Sequence, residues 1–190
     1  MTEYKKGVFM KKCTVFVLLL AVHSVYGQDN RIIPINISYF GDSLLHPGIE
    51  IGYENAFHKW FNFTASIGTY VHQRNHVGLF LNAGLNWRHT FPIGYSMEFG
   101  LGLGYLHKWE HGGDTYVVDD NGNVSVRPKY GQPRFMPQVK LGLLGWDFRK
   151  KTNVPLRLNV DIIGFMEYPF NTYWLPHIAL KIGGTYYFSF

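Results

Sequence analysis

The sequence predicts an all-β fold, an eight-stranded antiparallel up-and-down β-barrel that crosses a membrane. Three observations predict it. Apolar and polar residues alternate in eight segments, one face of each segment is almost free of charge, and the chain finishes on an aromatic strand, "KIGGTYYFSF", from Lys181 to Phe190. The composition agrees with this. Of 190 residues, 17% are aromatic and 16% charged, against roughly 25% charged in ordinary soluble domains. Yet the mean hydropathy is only −0.09, which is what alternation of polar and apolar residues produces.

The N-terminus precedes the strands. Met10 to Gly27, "MKKCTVFVLLLAVHSVYG", sets Lys11 and Lys12 before an apolar run, Val15 to Val22, and a small residue, Gly27. This predicts a secretory signal peptide over 1–27, starting at Met10 and cleaved after Gly27, and too short to span a bilayer. The barrel domain then covers 28–190. Removing 1–27 takes away four of the 18 Lys and Arg and one of the 13 acids, and leaves a net charge of +2. So weak a charge gives no support to a nucleic-acid partner. Cys13, the one cysteine, leaves as well, so the mature chain has no thiol chemistry.

Side chains on a strand point alternately to opposite faces. Four segments show this strongly. Val77, Leu79, Leu81, Ala83, Leu85 and Trp87 oppose Gly78, Asn82, Gly84, Asn86 and Arg88. Tyr95, Met97, Phe99, Leu101, Leu103 and Tyr105 oppose Ser96, Glu98, Gly100, Gly102, Gly104 and Lys108. Leu156, Leu158, Val160 and Ile162 oppose Arg157, Asn159 and Asp161, and Ile178, Leu180, Ile182, Tyr186, Phe188 and Phe190 oppose His177, Lys181, Thr185 and Ser189. Weaker copies lie at 32–40, 48–57, 60–71 and 135–147, which makes eight. The connections at 58–59, 89–94 and 149–155 are short, whereas Glu110 to Arg134 is long and polar. Strand parity puts that loop opposite both termini, as in membrane barrels with short turns on one side and longer loops on the other.

A soluble lipocalin-like barrel alternates too, but it faces its charge outward. Here the charged face also carries the glycines and mixes both signs: Glu50, Glu54, Arg88, Glu98, Lys108, Lys140, Arg157, Asp161 and Lys181. Small, polar and sparsely charged suits a narrow lumen, and continuous apolar suits lipid. The lumen set, joined by Glu167, balances acids against bases and is expected to form a salt-bridged plug. Aromatics are expected in two belts. Phe57, Phe61, Trp87, Phe91, Tyr95, Phe188 and Phe190 lie toward the turns, and Tyr39, Tyr105, Trp109 and Tyr168 toward the loops.

With these segments the mature chain from about Arg31 to Phe190 resembles the small eight-stranded outer-membrane β-barrel proteins of double-membraned bacteria, the OmpA-like transmembrane barrels. The C-terminal strand resembles their assembly signal in Lys181, Gly183, Tyr186, Phe188 and Phe190. The resemblance implies export to the outer membrane as a monomer, with outer-membrane lipid and the barrel-assembly machinery as partners. It also implies a structural or loop-mediated binding role. Lipid-modifying enzymes of this architecture are an alternative, and a narrow channel is another. The deacylases among them use His-x-Ser, and no histidine after Gly27 has Ser two positions on. Asp42, Ser43 and His46 are of the right types for a nucleophile and base, but "GDS…HPG" is also an ordinary turn composition. No catalytic residue and no cofactor is assigned.

Two histidine pairs, His72/His76 and His107/His111, lack third and fourth metal ligands in sequence and are expected as exposed loop residues. Within the long loop, "TYVVDDNGNVSV" alternates about Asn121-Gly122 and predicts a projecting hairpin, the best basis for contact with an extracellular partner.

Overall fold

The computed structural model describes residues 32–190 apart from 74, 112–114, 120, 128–130 and 171–172. The expected signal peptide, 1–27, lies outside the described residues. The strands are β1 (Ile32–Asp42), β2 (His46–Ala56), β3 (Phe61–His72), β4 (His76–Thr90), β5 (Tyr95–Glu110), β6 (Thr115–Val118), β7 (Val124–Arg127), β8 (Gln132–Asp147), β9 (Leu156–Phe170) and β10 (Tyr173–Ser189). One helical turn, α1 (Arg149–Thr152), lies between β8 and β9. Eight strands close in the order β1-β10-β9-β8-β5-β4-β3-β2, and the paired strands run antiparallel. Closure leaves no sheet edge, which is the condition for a β-structure to sit in lipid with its backbone hydrogen bonds satisfied.

The strand faces follow the sequence. Even-numbered residues of β1 to β5 point inward, as do odd-numbered residues of β9 and β10. Among the described residues, no Asp, Glu, Lys or Arg occupies an outward position on any of the eight barrel strands. The outer wall is instead Ile, Leu, Val, Phe and Met, with Leu101, Leu103 and Ile178 each about three-fifths exposed. In water this surface would be a severe aggregation liability; against lipid it needs no partner.

Outer aromatics gather at both ends of the wall. Toward the turns, Trp60 stacks on His89 (4.9 Å) and on Trp87 (6.4 Å), and Phe91 stacks on Tyr95 (5.6 Å). Toward the loops, Tyr168 stacks on Trp174 (4.6 Å), and the Tyr105 hydroxyl bonds Nδ1 of His107 (2.8 Å). Tyr95 and Tyr105 are ten residues apart on β5. At about 3.3 Å per residue and a tilt of about 40° that is about 25 Å along the barrel axis, the height of a lipid-facing band.

β8 breaks the alternation. Its register against β9 slips between Gly142 and Leu144, so Leu143 and Leu144 both face out and the inward parity changes from even to odd. Leu143 has no paired residue on either neighbouring strand, as a β-bulge leaves its extra residue. The Tyr95 hydroxyl donates to Leu143 O at 2.7 Å. The hairpin expected about Asn121-Gly122 is present: β6 pairs with β7, with Tyr116 opposite Val126 and Val118 opposite Val124. Its turn is held by Asp119, whose carboxylate accepts from the Asn121 and Asn123 backbone amides and from Asn123 Nδ2 at 2.8–2.9 Å. The Asn123 side chain and backbone amides hold the Asp119 carboxyl below its ordinary value.

Candidate functional site

The interior has three levels. At the turn side, Glu54 from β2, Arg88 from β4, Glu98 from β5, Lys140 from β8 and Arg157 from β9 share one network. Arg88 grips Glu54 with both terminal nitrogens (2.5 and 2.6 Å) and reaches Glu98 through Nη2 (2.7 Å). Arg157 bonds Glu54 (3.1 Å) and Glu98 (2.9 Å), and Lys140 closes on the remaining oxygen of Glu98. Forked Arg–carboxylate contacts of this kind are the strong, directional ones.

The middle level is uncharged apart from Glu50, Asp161 and Lys181. Lys181 Nζ lies 2.5 Å from Glu50 Oε1, and Asp161, which faces Lys181 across the β9–β10 ladder, accepts from Asn159 Nδ2 (2.8 Å). Asn36 bridges Asn159 and Thr185 at 3.1 Å each, and Asn86 donates to Asn62 at 2.8 Å. Glycines admit these amides: a Cβ on Gly102 would come 2.7 Å from Gln138 Nε2 and 2.8 Å from its Cγ, so a larger residue there would have to displace the Gln138 side chain. A cavity of about 50 Å³ remains among Asn36, Thr64, Asn86, Gln138 and Lys140, enough for a few waters and no more.

The loop-side level departs from expectation. The lumen was expected to be polar throughout, but Phe40, Tyr70, Phe80, Leu106, Met136, Ile163, Phe165 and Ala179 form a packed apolar layer there, none more than 3% exposed. Phe40 meets the rings of Phe80 (4.7 Å), Tyr70 (6.2 Å) and Phe165 (6.2 Å). These residues sit on the same inward face as the polar set, and an eight-stranded barrel is narrow enough for their side chains to fill its cross-section. Above the layer Glu167 is fully buried and receives Lys108 (3.0 Å); Nε2 of His177 lies 3.1 Å from its carboxylate, and Nδ1 of the same ring lies 3.1 Å from Asp42.

The nine residues predicted for the lumen thus fall into three groups. Five form the turn-side network, Glu50, Asp161 and Lys181 lie at mid-height, and Lys108 stands apart with Glu167 beyond the apolar layer. Of the C-terminal motif, Lys181 and Gly183 face in, whereas Tyr186, Phe188 and Phe190 are exposed. Asp42 is buried at the end of β1; Ser43 Oγ lies 3.4 Å from its Oδ1, and His46 Nδ1 lies 3.6 Å from its Oδ2. A serine nucleophile donates to an imidazole, whereas here the hydroxyl bonds the carboxylate. His107 joins the outer aromatic belt, 4.5 Å from Trp109. His76, expected exposed, is buried, because its even position at the start of β4 turns it inward. His177, not singled out from the sequence, becomes a bridge between two carboxylates, and only the sheet register brings Asp42 and Glu167 to it.

A closed eight-stranded barrel with an uncharged outer wall and its charges turned inward has the fold of the small outer-membrane β-barrels. Among solved structures, the chain is similar to the N-terminal β-barrel domain of OprF from Pseudomonas aeruginosa (14% identity, TM-score 0.55, covering 85% of this chain and 98% of that one). It is also similar to Neisserial surface protein A (12%, TM-score 0.49, covering 84% and 95%) and to Ail from Yersinia pestis (11%, TM-score 0.43, covering 83% and 99%). At 14% identity the likeness to the OprF barrel speaks for the fold alone. No family model matches the chain, and no curated protein matches it in sequence.

Proposed function

We propose that the chain is an integral protein of a bacterial outer membrane, exported by the signal peptide at 1–27. In this reading it acts as a monomer, with a structural or binding role carried by the Glu110–Arg134 loop. The observation that carries the reading is the segregation of charge: the described outward positions of all eight strands are uncharged, and the inward acids and bases contact one another. The inward network and the apolar layer together plug the lumen. The exposed aromatics Tyr186 and Phe188, with Phe190, serve the barrel-assembly machinery as an address and the bilayer as an interfacial anchor. The hairpin β6–β7 presents Tyr116, Val118, Val124 and Val126 on one exposed face, a surface suited to a protein partner.

The test is gel mobility of detergent-folded protein, unboiled beside boiled, followed by planar-bilayer recording. The reading expects a shift on boiling and closed traces. A chain that shows no shift and stays soluble once detergent is removed overturns the membrane assignment. Discrete conductance steps overturn the plug.

A further inference from the structure

The loop-side rim carries a row of metal-ligating residues that the sequence separates and the sheet reunites. On the β1–β2 ladder Asp42 faces His46; on β3–β4 His72 faces His76; on β4–β5 His76 faces Glu110. Gly48 pairs with Tyr70 on the β2–β3 ladder, which carries His46 to the position opposite His72. Their rings stack with centroids 3.6 Å apart, and His72 lies 5.1 Å from His76. All five residues occupy the inward parity of neighbouring strands, so three imidazoles stand side by side on one wall.

Each of the three rings keeps a nitrogen that no hydrogen bond described for it occupies. Nδ1 of His72 lies 3.2 Å from Gln73 O, so a proton donated there leaves Nε2 with its lone pair. Nδ1 of His46 lies 3.6 Å from Asp42 Oδ2, too long for a hydrogen bond, and is itself buried with no hydrogen-bond partner among the described residues. Nε2 of His76 is buried and has no hydrogen-bond partner among the described residues, and Tyr70 packs edge-on against that ring at 5.7 Å. A buried imidazole nitrogen left without a partner costs stability unless something occupies it. The nearby cation, Lys108, is paired with Glu167. Among the described residues no three such groups yet surround one point. His46 and His72 are only half-buried and are stacked on one another, so the proposal requires these two rings to rotate apart.

We propose that the outer mouth binds one divalent first-row transition-metal ion through His46, His72 and His76, with the Asp42 carboxylate nearby. Imidazole donors with a supporting carboxylate suit Zn²⁺, Ni²⁺ or Cu²⁺ and not Mg²⁺ or Ca²⁺. The fourth position stays open to water.

The test is calorimetric titration of the untagged full chain, folded in detergent and carrying Cys13→Ser, with zinc chloride. One ion per chain is expected. His72→Ala and His76→Ala should each weaken binding at least about tenfold, since loss of a supporting residue alone costs about 10–100-fold. His58→Ala, on the turn side, should leave binding unchanged. Copper in place of zinc should show nitrogen hyperfine coupling in its electron paramagnetic resonance spectrum. The gel shift on boiling checks that each variant is folded, and His72→Gln replaces His72→Ala if the latter is not. Absence of saturable binding to folded protein, binding that survives both substitutions, or binding lost with His58→Ala overturns the proposal.

Discussion

Glu98 is the most connected residue of the turn-side network, and replacing it with Gln keeps its shape while removing its charge. Its carboxylate receives Arg88, Arg157 and Lys140 and is 5% exposed. The network holds three cations against two carboxylates, and the nearby Glu50, Asp161 and Lys181 hold one cation against two, so the eight charges balance. Glu98→Gln leaves three buried cations sharing Glu54. Removing one partner of a buried ion pair costs about 3–5 kcal/mol; at about 2 kcal/mol per molar of urea, that lowers the unfolding midpoint by about 1.5–2.5 M. Adding Lys140→Met restores the balance and should recover about 1 kcal/mol or more through coupling of neighbouring sites. The assay is urea unfolding in lipid vesicles followed by tryptophan fluorescence. A midpoint shift below about 0.5 M, or a double variant no more stable than Glu98→Gln, would refute the reasoning that these charges hold one another in the folded barrel.

Three further outcomes follow from the same geometry. Leu101→Arg puts a charge at an outward position midway along β5 and should cost about 2–4 kcal/mol in vesicles; vesicle unfolding that matches the wild type would speak against a lipid-facing Leu101. Tyr95→Phe removes the hydroxyl that satisfies Leu143 O at the bulge and should cost about 0.5–1.5 kcal/mol in the same assay, with faster amide exchange at Leu144 and Gly145 as the local signature. Because the Asp119 carboxyl is held below its ordinary value, its contribution to the hairpin is complete above the unfolded value and fades as pH falls through the folded one. The Asn121 and Asn123 amide resonances should therefore shift on acidification, and Asp119→Asn should abolish that titration.

The sequence made the barrel legible because every described outward position of the barrel strands obeys one rule, absence of charge, and that rule is local to each strand. Where it failed, the cause was non-local or a change of phase. At Leu143–Leu144 the bulge moves the inward set from even to odd positions, so a pattern read across 135–147 looks weak although the strand is 16 residues long. Phe80, Leu106 and Phe165 share the inward parity with Asn82, Lys108 and Asp161. Counting only the charged members of that face hid the apolar layer, and what sorts the two kinds is height along the barrel, a quantity set by strand stagger. His46 and His72 are 26 positions apart in the chain, and only the β2–β3 register brings their rings together.

The most direct measurement of the central claim is cysteine accessibility in lipid vesicles, since Cys13 is the one cysteine in the sequence and a single substitution removes it. In a Cys13→Ser background, Leu101→Cys reports the middle of the outer wall and Leu45→Cys reports the β1–β2 turn, where the native leucine is 82% exposed. The account predicts that a membrane-impermeant maleimide labels the turn position and leaves the wall position unlabelled until the barrel is unfolded. Equal labelling of both positions in protein that still shifts on boiling would contradict it, because the outer wall would then face water.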